Sequence, residues 1–264
     1  MKYNNEFKEI DTPEKAYVLG QIYGDGYNHC GKHNKCVIAS INTDAYLYEM
    51  MQKEFPFLKL KTYKSHPNMI YLECYEKAFC EDLKALGMIS PKTKYDITGE
   101  FKFPNLKKEL LNHFIRGYFD ADGTAYYPSR YRSRNSLKIE FGCSTKNFLS
   151  KINKILKENN INFSYNERKR KVQGKEYNSY NLISSNRKIS LEFANFIYKN
   201  ASLYLNYKKD ICYKKLVLPN SPFELFGKCP YCNSTHIIKI GTREAKQRLQ
   251  CLDCKKRFTK PMPN

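Results

Sequence analysis

The sequence predicts an α+β fold: two pseudo-twofold-related αββαββα halves followed by a small C-terminal appendage. Three observations carry that expectation. Residues 114–123 read Phe-Ile-Arg-Gly-Tyr-Phe-Asp-Ala-Asp-Gly, and a looser copy, Val-Leu-Gly-Gln-Ile-Tyr-Gly-Asp-Gly, occupies 18–26. Each copy opens the same series of apolar periods: helix, strand, strand, helix, strand, strand, helix. Behind the second series, a break at Pro219 and Pro222 leads into a tail with two Cys-x-x-Cys pairs.

Thr12 caps the first helix and Pro13 fills its first position. Residues 27–35 form a hairpin with a polar tip, leading into a strand at 36–41. Thr43 caps a helix at about 44–54 whose apolar residues are Tyr46, Leu47, Met50 and Met51. Strands at 58–64 and 69–75 flank a turn at His66-Pro67-Asn68, and a helix at 77–86 stops at Gly87. A linker, 88–105, carries Pro91, Gly99 and Pro104.

The second half repeats this order. Asn105 caps the second apolar helix, and strands fall near 124–127 and 137–143. Thr145 caps a helix through about residue 158 with Phe148, Leu149, Ile152, Ile155 and Leu156 on one face. Strands at 163–171 and 177–183 surround a Gln173-Gly174 turn, and helices follow at about 188–198 and 205–216. The boundaries are thus 1–105 for the first half with its linker, 106–216 for the second, 217–227 for a linker and 228–264 for the tail.

The two apolar copies carry chemistry as well as packing. Small residues four apart, Gly20 and Gly24, then Gly117 and Ala121, share one helix face and let two helices approach backbone to backbone. Each copy ends in Asp-Gly, where the glycine can adopt positive φ and stop the helix. Helices packed this way bring Asp25 and Asp122 together at two negative dipole ends, an arrangement that calls for a cation. An all-oxygen site suits Mg²⁺ or Mn²⁺ and metal-assisted phosphodiester hydrolysis. A core helix followed by a turn explains either copy alone. The recurrence favours the paired site.

These stretches resemble the two signature motifs of single-chain LAGLIDADG homing endonucleases. The second copy is close to the pattern. The first departs from it, with Tyr23 at the first acidic position and Gly24 for Ala. The resemblance covers roughly residues 13–216. It implies a saddle of two four-stranded sheets straddling double-stranded DNA, with Asp25 and Asp122 as metal ligands and short 3′ overhangs as products. It also implies a lysine near the scissile phosphates just after the last helix of each half. Ser-Pro-Lys-Thr-Lys at 90–94 and Leu-Asn-Tyr-Lys-Lys at 205–209 occupy those places, and Lys94 and Lys208 are the candidates. A helix-end cation held by the dipole is the plainer account of either lysine.

The charge balance agrees with a nucleic-acid partner. Forty-six Lys and Arg stand against 26 Asp and Glu, a net charge of +20. Lys59 and Lys61 in one strand, Arg130, Arg132 and Arg134 in a loop, and Arg168 and Arg170 in another strand are candidates for phosphate or base contact. Solvated edge-strand charge is the competing account.

In the tail, Cys229, Cys232, Cys251 and Cys254 have the spacing of a tetrahedral Cys₄ zinc site. The segment resembles the zinc ribbons at the ends of transposases and phage DNA-binding proteins. That implies structural Zn²⁺ and DNA contact through residues such as Lys246 and Arg248. A purely stabilising or protein-docking knuckle is the alternative. The other cysteines read as buried small hydrophobes. A second site from His29, Cys30, His33 and Cys36 has poor spacing.

No stretch reaches the length of a membrane span, and the N-terminus lacks an apolar signal region. The expectation is an intracellular, free-standing monomer, in the cytoplasm or nucleoid of a bacterial or phage-infected cell or in an organelle. Its expected activity is site-specific double-strand DNA cleavage. A DNA-binding regulator that has lost cutting, or an RNA-splicing maturase, would use the same basic surface.

Overall fold

The computed structural model describes residues 2–31, 34–128, 137–172, 175–213, 226–244 and 246–261. The chain divides into two units, Met1–Lys214 and Lys215–Asn264.

The first unit is built on two central helices, α1 (Pro13–Gly24) and α5 (Leu111–Asp122). Glycine sets their separation. A Cβ on Gly20 would overlap the Phe114 carbonyl oxygen, and one on Gly117 would overlap that of Tyr17. The backbones therefore meet directly, as the four-residue spacing predicts. Aromatic side chains seal the junction beside this contact: Tyr23 stacks on Phe148 at 5.4 Å and meets Phe114 edge-on at 5.2 Å.

Each central helix leads into an antiparallel four-stranded sheet of identical order. The first is β1 (Tyr27–His29), β2 (Lys35–Ile41), β4 (His66–Cys74) and β3 (Lys59–Tyr63). The second is β5 (Gly123–Tyr126), β6 (Lys138–Cys143), β8 (Lys175–Ser184) and β7 (Ser164–Val172). Between the strands run α2 (Ala45–Glu54) and α3 (Lys77–Ala85) in one half, and α6 (Lys146–Glu158) and α7 (Arg187–Tyr198) in the other. Strand alternation turns Ile38, Leu72, Ile139, Phe141 and Leu182 into one continuous core.

Several expectations need correction. The linker is not featureless: it holds α4 (Lys92–Ile97). Asn105 caps nothing, because α5 begins at Leu111 after a 3₁₀ turn, Lys108–Leu110. Thr145 stands at the start of α6 without a side-chain cap bond, its hydroxyl directed to Cys143 Sγ at 3.4 Å. Thr43 sits inside a 3₁₀ turn, Asn42–Asp44, that precedes α2. The last basic helix, α8, covers Asn206–Tyr213, and residues 214–216 of the expected 205–216 lie outside the described residues. Gly26 and Gly123 do not take positive φ. They are glycines because a Cβ would strike Ile22 and Phe119 of their own helices.

The second unit is a three-stranded sheet, with β10 (Lys246–Cys251) between β9 (Ile237–Arg243) and β11 (Arg257–Pro261). Its core is small: Phe226, Cys229, Ile237, Leu249 and Cys251. Among the described residues no helix is long and apolar enough to cross a membrane.

Candidate active site

The packing of α1 on α5 delivers one carboxylate from each helix to the same place. Asp25 is the C-cap of α1, its N–H donating to the Gln21 carbonyl at 3.0 Å. Asp122 is the last residue of α5. Both residues are exposed, and their carboxyl groups lie within hydrogen-bonding range of each other. The surrounding protein strips water from Asp25 and raises its pKa to about 6, and the Asp122 charge pushes the same way. Desolvation likewise raises Asp122. Lys92 and Lys208 oppose both shifts.

These lysines occupy equivalent positions. Lys92, at the start of α4, donates to the Tyr23 carbonyl at 2.7 Å and to that of Gly24. Lys208, in α8, donates to the carbonyls of Phe119 (2.9 Å), Asp120 (2.7 Å), Ala121 (3.3 Å) and Gly123 (2.6 Å). Each ammonium thus satisfies the orphan carbonyls at the end of one central helix and places positive charge beneath the paired carboxylates. Burial lowers both, Lys92 to about 8, and the aspartates counteract the shift. Lys94 points elsewhere: it is exposed, with its ammonium 5.3 Å from the Tyr95 ring centre. Lys92 therefore stands where the sequence had suggested Lys94.

The position two residues before each paired aspartate has a different role. Asp120 is buried and accepts from Tyr17 (2.9 Å), Tyr198 (2.7 Å) and the Leu205 N–H (2.8 Å). Its counterpart Tyr23 donates to the carbonyls of Leu86 (2.8 Å) and Lys102 (2.9 Å). Both side chains tie down the segment after the last helix of their half, the segment that brings in the lysine. The departure of Tyr23 from the motif keeps this role while losing the acid.

The remaining candidates lie away from the paired aspartates. Lys59 and Lys61 are exposed on edge strand β3, in register with Glu73 and Tyr71, and Lys59 donates to the Pro56 carbonyl at 3.0 Å. Arg168 is exposed on edge strand β7 opposite Ser179, and Arg170 pairs with Tyr177. Arg130, Arg132 and Arg134 lie outside the described residues. The first sheet adds a charged group that the sequence did not single out. Glu73 is buried and bonded to Tyr63 and Tyr75 at 2.8 Å each, with Lys35 at 3.1 Å.

In the second unit, the ligand atoms of Cys229, Cys232, Cys251 and Cys254 lie within 4.8 Å of one another. Sulfur separations of 3.7 Å (Cys229–Cys254) and 3.5 Å (Cys232–Cys251) are close to the edge of a tetrahedron with metal–sulfur bonds of about 2.3 Å. Both knuckles turn through a residue at positive φ just after the second cysteine, Asn233 and Lys255. The cross-strand register sets Lys246 beside Arg243, and Arg248 beside Gly241 and Thr259. Of the hairpin candidates, Cys36 faces the core and His33 lies outside the described residues. The ribbon cysteines are the one group of three or more His, Cys, Asp or Glu among the described residues placed to hold a metal ion.

Residues 109–197 match the LAGLIDADG-like domain. No curated protein matches the chain. Solved structures that resemble it include mesophilic variants of the homing endonuclease I-DmoI, at 15% identity and a TM-score of 0.48, covering 72% of this chain and 97% of that one. I-DmoI in complex with DNA and Ca gives 15% identity and 0.48, over 73% and 92% of the two chains. The LAGLIDADG meganuclease I-AabMI bound to uncleaved DNA gives 14% and 0.49, over 76% and 88%. Residues 109–197 are thus similar to the LAGLIDADG-like domain, and the first half of the chain repeats the sheet order of the second around its own copy of the motif helix.

Proposed function

We propose that the chain is a site-specific endonuclease of the homing type that hydrolyses both strands of duplex DNA, with divalent metal held by Asp25 and Asp122. The meeting of these two exposed carboxylates at the tips of two helices carries the reading. Like charges at two negative helix ends favour a divalent cation, and only oxygen ligands are offered, which suits Mg²⁺ or Mn²⁺. When bound, such an ion supplies an activated water and steadies the leaving oxygen.

The chain's own residues do the rest. Asp25 and Asp122, both exposed, would hold the ion, and their exposure leaves phosphate oxygens free to approach. Lys92 and Lys208 hold the helix tips and limit the repulsion between the carboxylates. Lys59, Lys61 and Arg168 on the edge strands, with Arg170, Arg130, Arg132 and Arg134, take phosphates and base edges. A single chain supplies both halves, so a monomer suffices. The Cys₄ cluster fits structural Zn²⁺, and Lys246 and Arg248 extend contact along the DNA.

Selection from a randomised duplex library in Mg²⁺ tests the reading. Double-strand cuts at one long site, with no cutting in Ca²⁺, are the expected result. Specific binding without cutting in Mg²⁺ or Mn²⁺ would favour a regulator. Preference for structured RNA over duplex DNA would favour a maturase.

A further inference from the structure

Two lysines hold equivalent places on the open faces of the two sheets. Lys35 in β2 is in register with His29, four residues past Asp25, and Lys138 in β6 is in register with Tyr126, four residues past Asp122. Their strand neighbours Cys36, Ile38, Ile139 and Phe141 are buried in the core, so alternation turns both lysines to the opposite face. We propose, resting on the reading above that the chain binds duplex DNA, that Lys35 and Lys138 each read a guanine, one in each half of the target, at mirrored positions about its centre.

Both ammonium groups are held in the same way, by a glutamate and a tyrosine ring. Lys35 lies 3.1 Å from Glu73 and 5.3 Å from the Tyr75 ring centre. Lys138 lies 3.7 Å from Glu140 and 5.4 Å from the Tyr126 ring centre. Glu73 comes from the neighbouring strand β4 and Glu140 from β6 itself, so the two halves reach one arrangement by separate routes. The glutamates are fixed in turn. Glu73 accepts from the Tyr63 and Tyr75 hydroxyls at 2.8 Å each, and Glu140 accepts from Asn181 Nδ2 at 3.3 Å. The lysine side chains stay partly open, 37% and 26% exposed.

Three features favour a base over a phosphate. The carboxylate beside each ammonium offsets the charge that would draw in a phosphate. It takes one of the three N–H donors, and the other two match O6 and N7 of guanine, the paired acceptors of the major groove. Finally, β2 and β6 are inner strands, whereas Lys59, Lys61 and Arg168 lie on the edges. A sheet seated in the groove sets its inner strands over the base edges and its edge strands beside the phosphates.

The equivalence fixes where the guanines fall. Four strand residues cover about 13 Å, or about four base pairs at roughly 3.4 Å each. The pseudo-twofold then puts one guanine on each DNA strand, about four base pairs to either side of the centre. Nearer the helix tips the faces differ: the row Ala39, Tyr71 and Lys61 in the first sheet stands where Gly142, Asn181 and Asn166 stand in the second. The half-sites should therefore share the guanine and diverge toward the centre.

Selection from a randomised duplex library in Ca²⁺ by the full zinc-loaded chain tests this without cutting. The wild type should enrich a site with guanines at the two mirrored positions. Lys35→Met should lose the preference for guanine at one of them, by about tenfold or more in competition binding, and keep it at the other. Lys138→Met should do the reverse, and its less buried glutamate lets it decide the matter if Lys35→Met does not fold. A uniform loss of affinity with both preferences intact would show phosphate contact and overturn the assignment, as would a selected site without the mirrored guanines. A wild type that selects no duplex would overturn the endonuclease reading itself, and this assignment with it.

Discussion

Lys92 and Lys208 are equivalent: each turns its ammonium onto the terminal carbonyls of one central helix, Lys92 onto Tyr23 and Gly24, Lys208 onto Phe119, Asp120, Ala121 and Gly123. A residue that satisfies buried carbonyls contributes to stability as well as to any chemistry above it. Lys208→Met should therefore cost about 2–3 kcal/mol, because it leaves buried acceptors unpaired. Lys92→Met, at a half-buried site, should cost less, about 1–2 kcal/mol. Lys94→Met, fully at the surface, should stay within about 0.5 kcal/mol. Urea unfolding of the three variants checks this order, and equal effects at Lys92 and Lys94 would contradict it.

Direct backbone contact between α1 and α5 predicts that Gly117→Ala is severe. The added methyl would overlap the Tyr17 carbonyl, which belongs to a helix that cannot yield locally. A loss of about 3 kcal/mol or more is expected. Gly99→Ala, where a Cβ meets nothing within 4 Å but φ is +76°, separates backbone strain from crowding and should cost about 1 kcal/mol. Thermal melts of the two variants give the comparison.

The sequence carried the central helices and their paired aspartates because that information is local: small residues four apart and an Asp-Gly end. The sheets were legible through alternation. The register of α4 was not. Pro91 and Gly99 mark 88–105 as irregular, and six residues are too few for a helical period to stand out. Lys92 and Lys94 were therefore interchangeable on paper, and only the path of the chain past α1 separates them. The role of Tyr23, which departs from the motif, is not legible in the sequence because its hydroxyl's partners, Leu86 and Lys102, lie more than sixty residues away.

His113 should shape the acid limb of stability. It is 9% exposed, and burial followed by the Arg116 guanidinium, 2.8 Å from its Nδ1, holds its pKa down to about 4. An unfolded histidine binds its proton near pH 6.5, so between about 6.5 and 4 the unfolded chain holds the extra proton. Stability is present above pH 6.5 and falls as the pH drops through this window, by up to about 3 kcal/mol at 1.36 kcal/mol per unit. His113→Gln should flatten that limb in urea titrations at pH 7 and pH 4.5. An unchanged slope would argue that carboxylates dominate it.

Metal removal should act on the second unit by itself. Among the described residues its buried core is five side chains, two of which belong to the candidate ligands Cys229 and Cys251. So little apolar area cannot order the segment unaided. A strong chelator, or Cys229→Ser, should abolish the amide-exchange protection of β9 to β11 while leaving that of α1 and α5. Retained protection in the zinc-free chain would contradict a structural metal.

The central claim is that Asp25 and Asp122 act together as one metal-holding pair. It is tested most directly by single-turnover cleavage of the selected duplex in Mg²⁺ by the wild type, Asp25→Asn and Asp122→Asn, with DNA binding measured in Ca²⁺ alongside. The account predicts that each variant binds the site as tightly as the wild type or nearly so, and loses double-strand cutting by at least about a thousandfold, roughly 4 kcal/mol in the barrier. Cutting at the wild-type rate by either variant, with folding intact, would contradict it.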